Sequence, residues 1–367
     1  MLKVQNIVLK SDIDRLPREI IRDIAVSLGV AAERSFGEIV DNIWEKLLDD
    51  HDLRHSVLEP VKHKILCGKT SVTWYTFSEE TSLEGVRELI IRNSSFNPFQ
   101  EIRVPVPDSL TSTPVLIGAA QGETEHEYYL RFMRKCGVVR YYHGYQSQSL
   151  PTTEAKTIYV NEAQGCIEIR TDARTSDKYA RFLGQLINQE RFIFTKDILA
   201  PFGNNIESIA DQLDGELIDV IARPELLVED FSEEQAVGVI NILTAMNDFF
   251  VNNDFDILRR KLQEAREQFE DSFLSVPFTA LILNGLEKVG MGVPDKSNRE
   301  LRGLPFYDFL RPHLQHQGGF IRFKVTEYGM ENSYTIRVGL STKSIYFMTP
   351  ATENAIKFVM DRLVFTE

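Results

Sequence analysis

Apolar residues recur at helical spacing along the start of the chain. Leu16, Ile20, Ile21, Ile24, Ala25 and Leu28 form one stripe, with Asp12 and Asp14 ahead of it and Pro17 placed for a first helical turn. Gly29 stands where that helix should stop. A second stripe begins near Ser35 and carries Ile39, Ile43, Trp44, Leu47 and Leu48. The pattern predicts helix, short connection, helix, as a helical N-terminal module over residues 1–60.

The period then changes. Thr70 to Phe77 alternates polar and apolar, the mark of a half-buried strand. Ser82 is set to cap a short helix, Glu101–Val106 reads as an edge strand because of Pro105, and Glu125–Arg134 reads as a helix. Val138–Tyr142 looks extended. Thr157–Val160 and Cys166–Arg170 flank a turn that ends in Gly165, which predicts a hairpin. Ser176 then opens a helix through Ile187. These elements make an α+β unit over 61–190.

Residues 191–285 read as mostly helical and acidic. Glu207 to Glu234 holds ten carboxylates against one cation, Arg223. Ser232-Glu-Glu-Gln235 has the capping-box pattern ahead of an apolar helix, and Asp254 is set to cap another carrying Phe255, Leu258, Leu262 and Phe269. The two suit a helical hairpin about Asn252 and Asn253. Gly290–Asn298 is a loop by composition. Phe320–Val325, Ser333–Val338 and Ser344–Phe347 read as strands, and Thr349-Pro350 as the start of a final helix, giving a C-terminal α+β unit over 286–367. The fold class expected is α+β and multi-domain, with mixed or antiparallel sheets, flanking helices and a helical central segment. A hairpin followed by a capped helix occurs twice, at 157–190 and 320–365, as two related lobes would show.

Composition narrows the function classes. In 367 residues the net charge is -13, so nothing in the overall field steers the chain to nucleic acid, and such a site must be a local basic patch. Three cysteines without a CxxC pair argue against a disulfide framework or a zinc ribbon and suit a reducing compartment. The N-terminus lacks an apolar core of signal-peptide length, and no apolar run is long enough for a membrane span. A cytoplasmic setting without membrane contact is expected.

Enzyme motifs are lacking. There is no GxxxxGK[ST], no GxGxxG after a strand and no GxSxG. No cofactor and no catalytic residue are expected. His51 and His55 have the i, i+4 spacing of a helical metal pair beside Asp49, Asp50 and Asp52, but they read as a polar helix end; His313 and His316 rank no higher. Glu154-Ala-Lys156 has the E-x-K spacing of metal-dependent nucleases, with Asp108 the nearest preceding acid.

The segment Tyr128–Tyr145 stands out. It interleaves Arg131, Arg134, Lys135 and Arg140 with Tyr128, Tyr129, Tyr141, Tyr142 and Tyr145. From Arg131 to Arg191 there are ten Lys or Arg and six Asp or Glu, a locally positive stretch in a negative chain. Cations can neutralise phosphates while aromatics stack on bases, and Tyr with Arg also anchors protein interfaces. Arg131, Arg134, Lys135, Arg140, Tyr141, Tyr142 and Tyr145 are therefore the candidate residues for a nucleic-acid or protein partner.

Leu16-Pro-Arg-Glu-Ile20, Leu28-Gly29-Val30 and Ile39-Val-Asp-Asn-Ile43-Trp44 resemble the SAP and helix-extended-helix family of small DNA-binding modules. The resemblance implies helix N-termini and basic residues set against phosphates. Glu38, Asp41 and Glu45 occupy the polar face where that family usually shows basic residues. The function expected is a non-enzymatic binding or scaffold subunit of an intracellular multiprotein assembly, associated with DNA or RNA through one of these surfaces. The alternative is a metal-dependent enzyme that cleaves nucleic acid, built on Glu154 and Lys156.

Overall fold

A computed structural model describes residues 1–31, 35–77, 84–188, 193–224, 255–269, 289–292, 300–304 and 314–365, together with positions 237, 240, 241, 244, 245, 248, 307 and 311. The N-terminal helices are α1 (Lys10–Asp14), α2 (Arg18–Ser27), α3 (Phe36–Leu48), α4 (His51–Leu58) and α5 (Lys62–Ile65). Their ends follow the sequence signals. Gly29 takes φ 63° just past α2, a conformation a side chain would strain. Ser35 and Glu38 form a capping box on α3, and the Asp50 carboxylate accepts from Leu53 N–H at 2.8 Å to cap α4.

Eleven strands make one sheet. They are β1 (Ser71–Phe77), β2 (Val115–Gln121), β3 (Glu127–His143), β4 (Gln146–Asn161), β5 (Cys166–Arg170), β6 (Ile193–Thr195), β7 (Glu216–Pro224), β8 (Val289–Gly292), β9 (Leu314–Glu327), β10 (Met330–Gly339) and β11 (Ser344–Phe347). The order is β2-β3-β4-β5-β1-β11-β10-β9-β7-β8, with β6 also on β1, and every pairing is antiparallel. The remaining helices are α6 (Val86–Asn93), α7 (Ala173–Leu186), α8 (Ile206–Gln212), α9 (Phe255–Phe269) and α10 (Glu353–Leu363). The protein thus has helices packed on a large antiparallel sheet, an α+β arrangement.

The sheet has an internal echo. Strands β3, β4 and β5 run outward on one side of β1, and β9, β10 and β11 mirror them on the other. Both β5 and β11 are antiparallel to β1 and each is followed by a capped helix, α7 or α10. The caps are Asp172, accepting from Thr175 N–H, and Thr352, accepting from Ala355 N–H. The two helices lie on opposite faces. Tyr179 and Leu183 of α7 pack with Tyr75, Phe132 and Ile167, while Ile356, Val359 and Leu363 of α10 pack with Val72, Trp74 and Phe323. This is the relation that a two-fold axis along β1 would give the two lobes. The N-terminal helices share the face that α10 covers.

Several sequence expectations are corrected. Glu125–Arg134 is largely strand, not helix. Glu127 to Arg134 is buried on both sides of a covered strand, so polar and apolar residues do not alternate and the period 2 signal is lost. Strands β6 and β7 lie inside the stretch read as mostly helical, and β8 inside the stretch read as loop. Glu101–Val106 is not a strand, although Arg103 N–H donates to the Ile117 carbonyl at 2.8 Å. The helix expected through Ile91 is α6, and positions 237, 240, 241, 244, 245 and 248 of the one expected after Ser232 are helical, whereas the capping residues Ser82 and Ser232, the turn at Asn252-Asn253 and His313 lie outside the described residues.

Candidate functional site

The Tyr128–Tyr145 segment forms most of β3, and β3 with β4 is a long hairpin whose two ends differ. At its base β3 is flanked by β2 and β4 by β5. Strand pairing with β2 ends at Met133 and pairing with β5 ends at Thr157; Lys135 N–H still donates to the Thr111 carbonyl at 2.8 Å, and from Gly137 to the tip no strand among the described residues pairs with either outer edge of the hairpin. A bulge between Lys135 and Gly137 marks the exit from the sheet. Such an extra residue bends and twists a strand, and here it re-aims the outer half. The hairpin closes through Gly144-Tyr145, where Gly144 takes φ 57°.

The base absorbs two of the candidate cations. Arg131 is buried, with its Nη2 donating to both carboxylate oxygens of Asp12 at 2.8 and 2.7 Å and its Nη1 to Thr157 Oγ1 at 2.7 Å. Arg134 donates from Nε to Glu154 Oε1 at 2.6 Å and lies over the Tyr179 ring. Tyr128 and Tyr129 are buried in the two cores, and burial pushes both phenols up. The outer half carries the rest. Lys135 is half-buried at the bulge, and Arg140, Tyr141, Tyr142 and Tyr145 are exposed, Tyr142 by 73%.

The arm has two usable faces. Cross-strand pairs Val139–Leu150 and Tyr141–Gln148 share one, and Val138–Pro151, Arg140–Ser149 and Tyr142–Ser147 share the other. Val138, Val139 and Leu150 are exposed apolar side chains that the charge and tyrosine pattern did not single out. Between Cys136 and Thr153 there is no carboxylate and only Arg140 as a permanent cation.

The other candidate chemistry is dispersed. Glu154 is held by Arg134 and sits 3.3 Å from Lys156 Nζ, so its charge is already matched. His55 Nε2 lies 3.1 Å from Lys3 Nζ. His316 is half-buried, and burial lowers its imidazole, which favours the neutral form. Among the described residues no three His, Cys, Asp or Glu side chains group as metal ligands. Also among them, no helix is long and apolar enough to cross a membrane.

One polar cluster escaped the sequence reading. Arg170 on β5 donates to Glu168 at 2.8 Å, to the Leu66 carbonyl at 3.1 Å and, through two nitrogens at 2.6 Å each, to Glu353 of α10. Tyr129 and Cys67 also donate to Glu353, both at 3.0 Å, and Trp74 Nε1 donates to Glu168 at 3.1 Å. Burial raises Glu168, whereas the Arg170 guanidinium holds Glu353 below the usual carboxylate range despite its burial. The available signal was Glu168 and Arg170 alternating with Ile167 and Ile169 in a strand flanked on both sides. No known family model matches the chain, and no curated protein matches it in sequence.

Proposed function

We propose that the protein is a non-enzymatic binding subunit that grips a partner protein with the outer half of the β3–β4 hairpin. One observation carries the reading: the arm leaves the sheet with neither outer edge paired to a strand among the described residues and exposes Val138, Val139, Tyr141, Tyr142 and Leu150 while making no fold of its own. From Gly137 to the tip the ribbon reaches roughly 27 Å at about 3.3 Å per residue. Rigid tyrosines supply contact area at low entropic cost, Arg140 adds a bidentate donor, and Ser and Gln supply adaptable hydrogen bonds. Unpaired strand edges invite pairing with another chain.

The partner argued here is a protein with an apolar groove rimmed by carboxylates, since the arm is the acid-free part of a chain of net charge -13. Nucleic acid is less well suited to this surface. With Lys135 and Arg140 as its only permanent cations the arm neutralises about two phosphates, and the salt dependence of binding would be correspondingly shallow.

The test is a photo-crosslinking residue at Tyr142 in the full chain, expressed in its native host, with exposed Tyr328 as the control position. A defined adduct at Tyr142, absent at Tyr328, is expected. Tyr141→Ala in the same background should weaken that adduct, as loss of a ~2 kcal/mol anchor lowers affinity about thirtyfold. The same adducts at both positions, or none at Tyr142, would refute the reading. An adduct between two copies of the chain would make the arm a self-association device instead.

A further inference from the structure

A cleft separate from the arm lies where the N-terminal helices meet the sheet. It has a volume of about 540 Å³ and is bounded by the α1–α2 connection, the stretch from Lys64 to Thr70, β3, β4 and Pro350. A second hollow of about 260 Å³ adjoins it, sharing Arg15, Lys64, Gly68 and Pro350. This is a volume suited to a small-molecule ligand.

Its charge is lopsided. Arg15, Lys64, Lys69, Arg131, Lys156 and Arg170 line the larger cleft, and Asp12 is its single carboxylate. Three of these cations are matched inside the fold: Arg131 by Asp12, Arg170 by Glu168 and Glu353, and Lys156 by Glu154. Arg15, Lys64 and Lys69 have no ion-pair partner among the described residues. Cys67 also lines the cleft, and burial beside Glu353 keeps it a neutral thiol, so it adds no negative charge. Pro17, another lining residue, precedes the first turn of α2, whose helix dipole favours an anion near that end.

Such a collection of unmatched cations in a concave, partly apolar site is stable in isolation only through hydration and counterions. It is complementary to a compact anion with several charged oxygens, which could accept from all three free side chains at once. We propose that this cleft binds a small ligand carrying two or more linked phosphate groups, with Arg15, Lys64 and Lys69 as its principal donors. The apolar lining from Leu16, Pro17, Ile65 and Pro350 would take the uncharged remainder of such a ligand.

Isothermal titration of the full chain with pyrophosphate, tripolyphosphate and a nucleoside triphosphate, each without divalent cation, tests the proposal and separates the sources. Saturable one-site binding of at least one of them is expected, weakening as salt rises. Lys64→Gln combined with Lys69→Gln should weaken it at least about tenfold, since even one of the two charge-assisted contacts removed is worth about that factor. These side chains make no ion pair among the described residues, so the melting temperature should hold, and Arg140→Gln on the arm should leave binding unchanged. Preference for the nucleotide over both inorganic anions would mean that the apolar lining is used; equal binding would mean that the phosphates alone are read. No saturable binding of any probe, or binding that the double substitution leaves intact in a folded protein, would overturn it.

Discussion

Replacing Arg170 with Met probes the junction of the two lobes. Met keeps most of the side-chain volume but removes every donor. Glu168 and Glu353 then lose their shared cation, and the Leu66 carbonyl loses its 3.1 Å donor. Taking one partner from a buried ion pair costs about 3–5 kcal/mol because the remaining charge stays desolvated. Here the lower part of that range applies: Glu353 keeps Tyr129 and Cys67 as donors with its side chain 23% exposed, and Glu168 keeps Trp74. A loss of about 3–4 kcal/mol is expected near pH 7.5. At an unfolding entropy of ~2.1 cal/mol/K per residue over this length, that is a fall of about 4–5 °C in Tm.

The pH dependence distinguishes this cause from a packing defect. Glu353 is held below the ordinary carboxylate range, so its contribution is fully present above that range and is lost as pH falls through its lowered value. Glu168 is held above the range by burial, so its contribution runs the other way and is lost as pH rises through its folded value. Without Arg170 both carboxyls rise, and protonation at lower pH relieves the unpaired charge. The penalty of Arg170→Met should therefore be smaller at pH 5 than at pH 7.5. Denaturant unfolding followed by tryptophan fluorescence reads this directly, since buried Trp74 is bonded to Glu168 and is one of two tryptophans in the chain. An unchanged midpoint at pH 7.5, or the same penalty at both pH values, would refute the reasoning.

The Asp12–Arg131 pair joins the N-terminal helices to the sheet, and a double-mutant cycle should show it. Arg131→Met should cost about 3–5 kcal/mol by leaving Asp12 buried and unpaired, whereas Asp12→Leu with Arg131→Met should cost much less than the sum of the single changes. The residual loss of about 1 kcal/mol reflects the bond from Leu9 N–H to Asp12 at the start of α1; additive costs in urea unfolding would count against the coupling. The three cysteines should separate by reactivity. Cys136 at the arm is exposed, while burial pushes the Cys67 and Cys166 thiols up, so a disulfide reagent at pH 7.5 should label one thiol quickly and three after unfolding. More than one fast thiol in the folded protein would contradict the raised thiols of half-buried Cys67 and buried Cys166.

Much of the local structure was legible in the chain. The stripe from Leu16 to Leu28, closed by Gly29, is α2, and the one from Ile39 to Leu48 is α3, because caps and 3.6-residue spacing act within a few residues. The hairpin at 157–170 and the three strands at 320–347 were legible for the same reason: alternation and a turn glycine are local. What failed was local in appearance but not in cause. Glu127–Arg134 lost its alternation because both faces of β3 are covered, and β7 was hidden in an acidic stretch whose strand character comes from pairing with β9.

The sequence by itself determined the capped helices, the hairpins and a tyrosine-rich segment that stands apart in an acidic chain. Only the tertiary structure decided what that segment's charges do. Arg131 meets a carboxylate 119 residues away and Arg170 one 183 residues away, and no local pattern tells a buried, paired arginine from an exposed one. The same packing left the outer half of the β3–β4 hairpin without a flanking strand among the described residues and gathered Arg15, Lys64 and Lys69 around one cleft. Burial costs a charge its hydration unless a partner is supplied, and which charges receive partners is settled by the order of the strands.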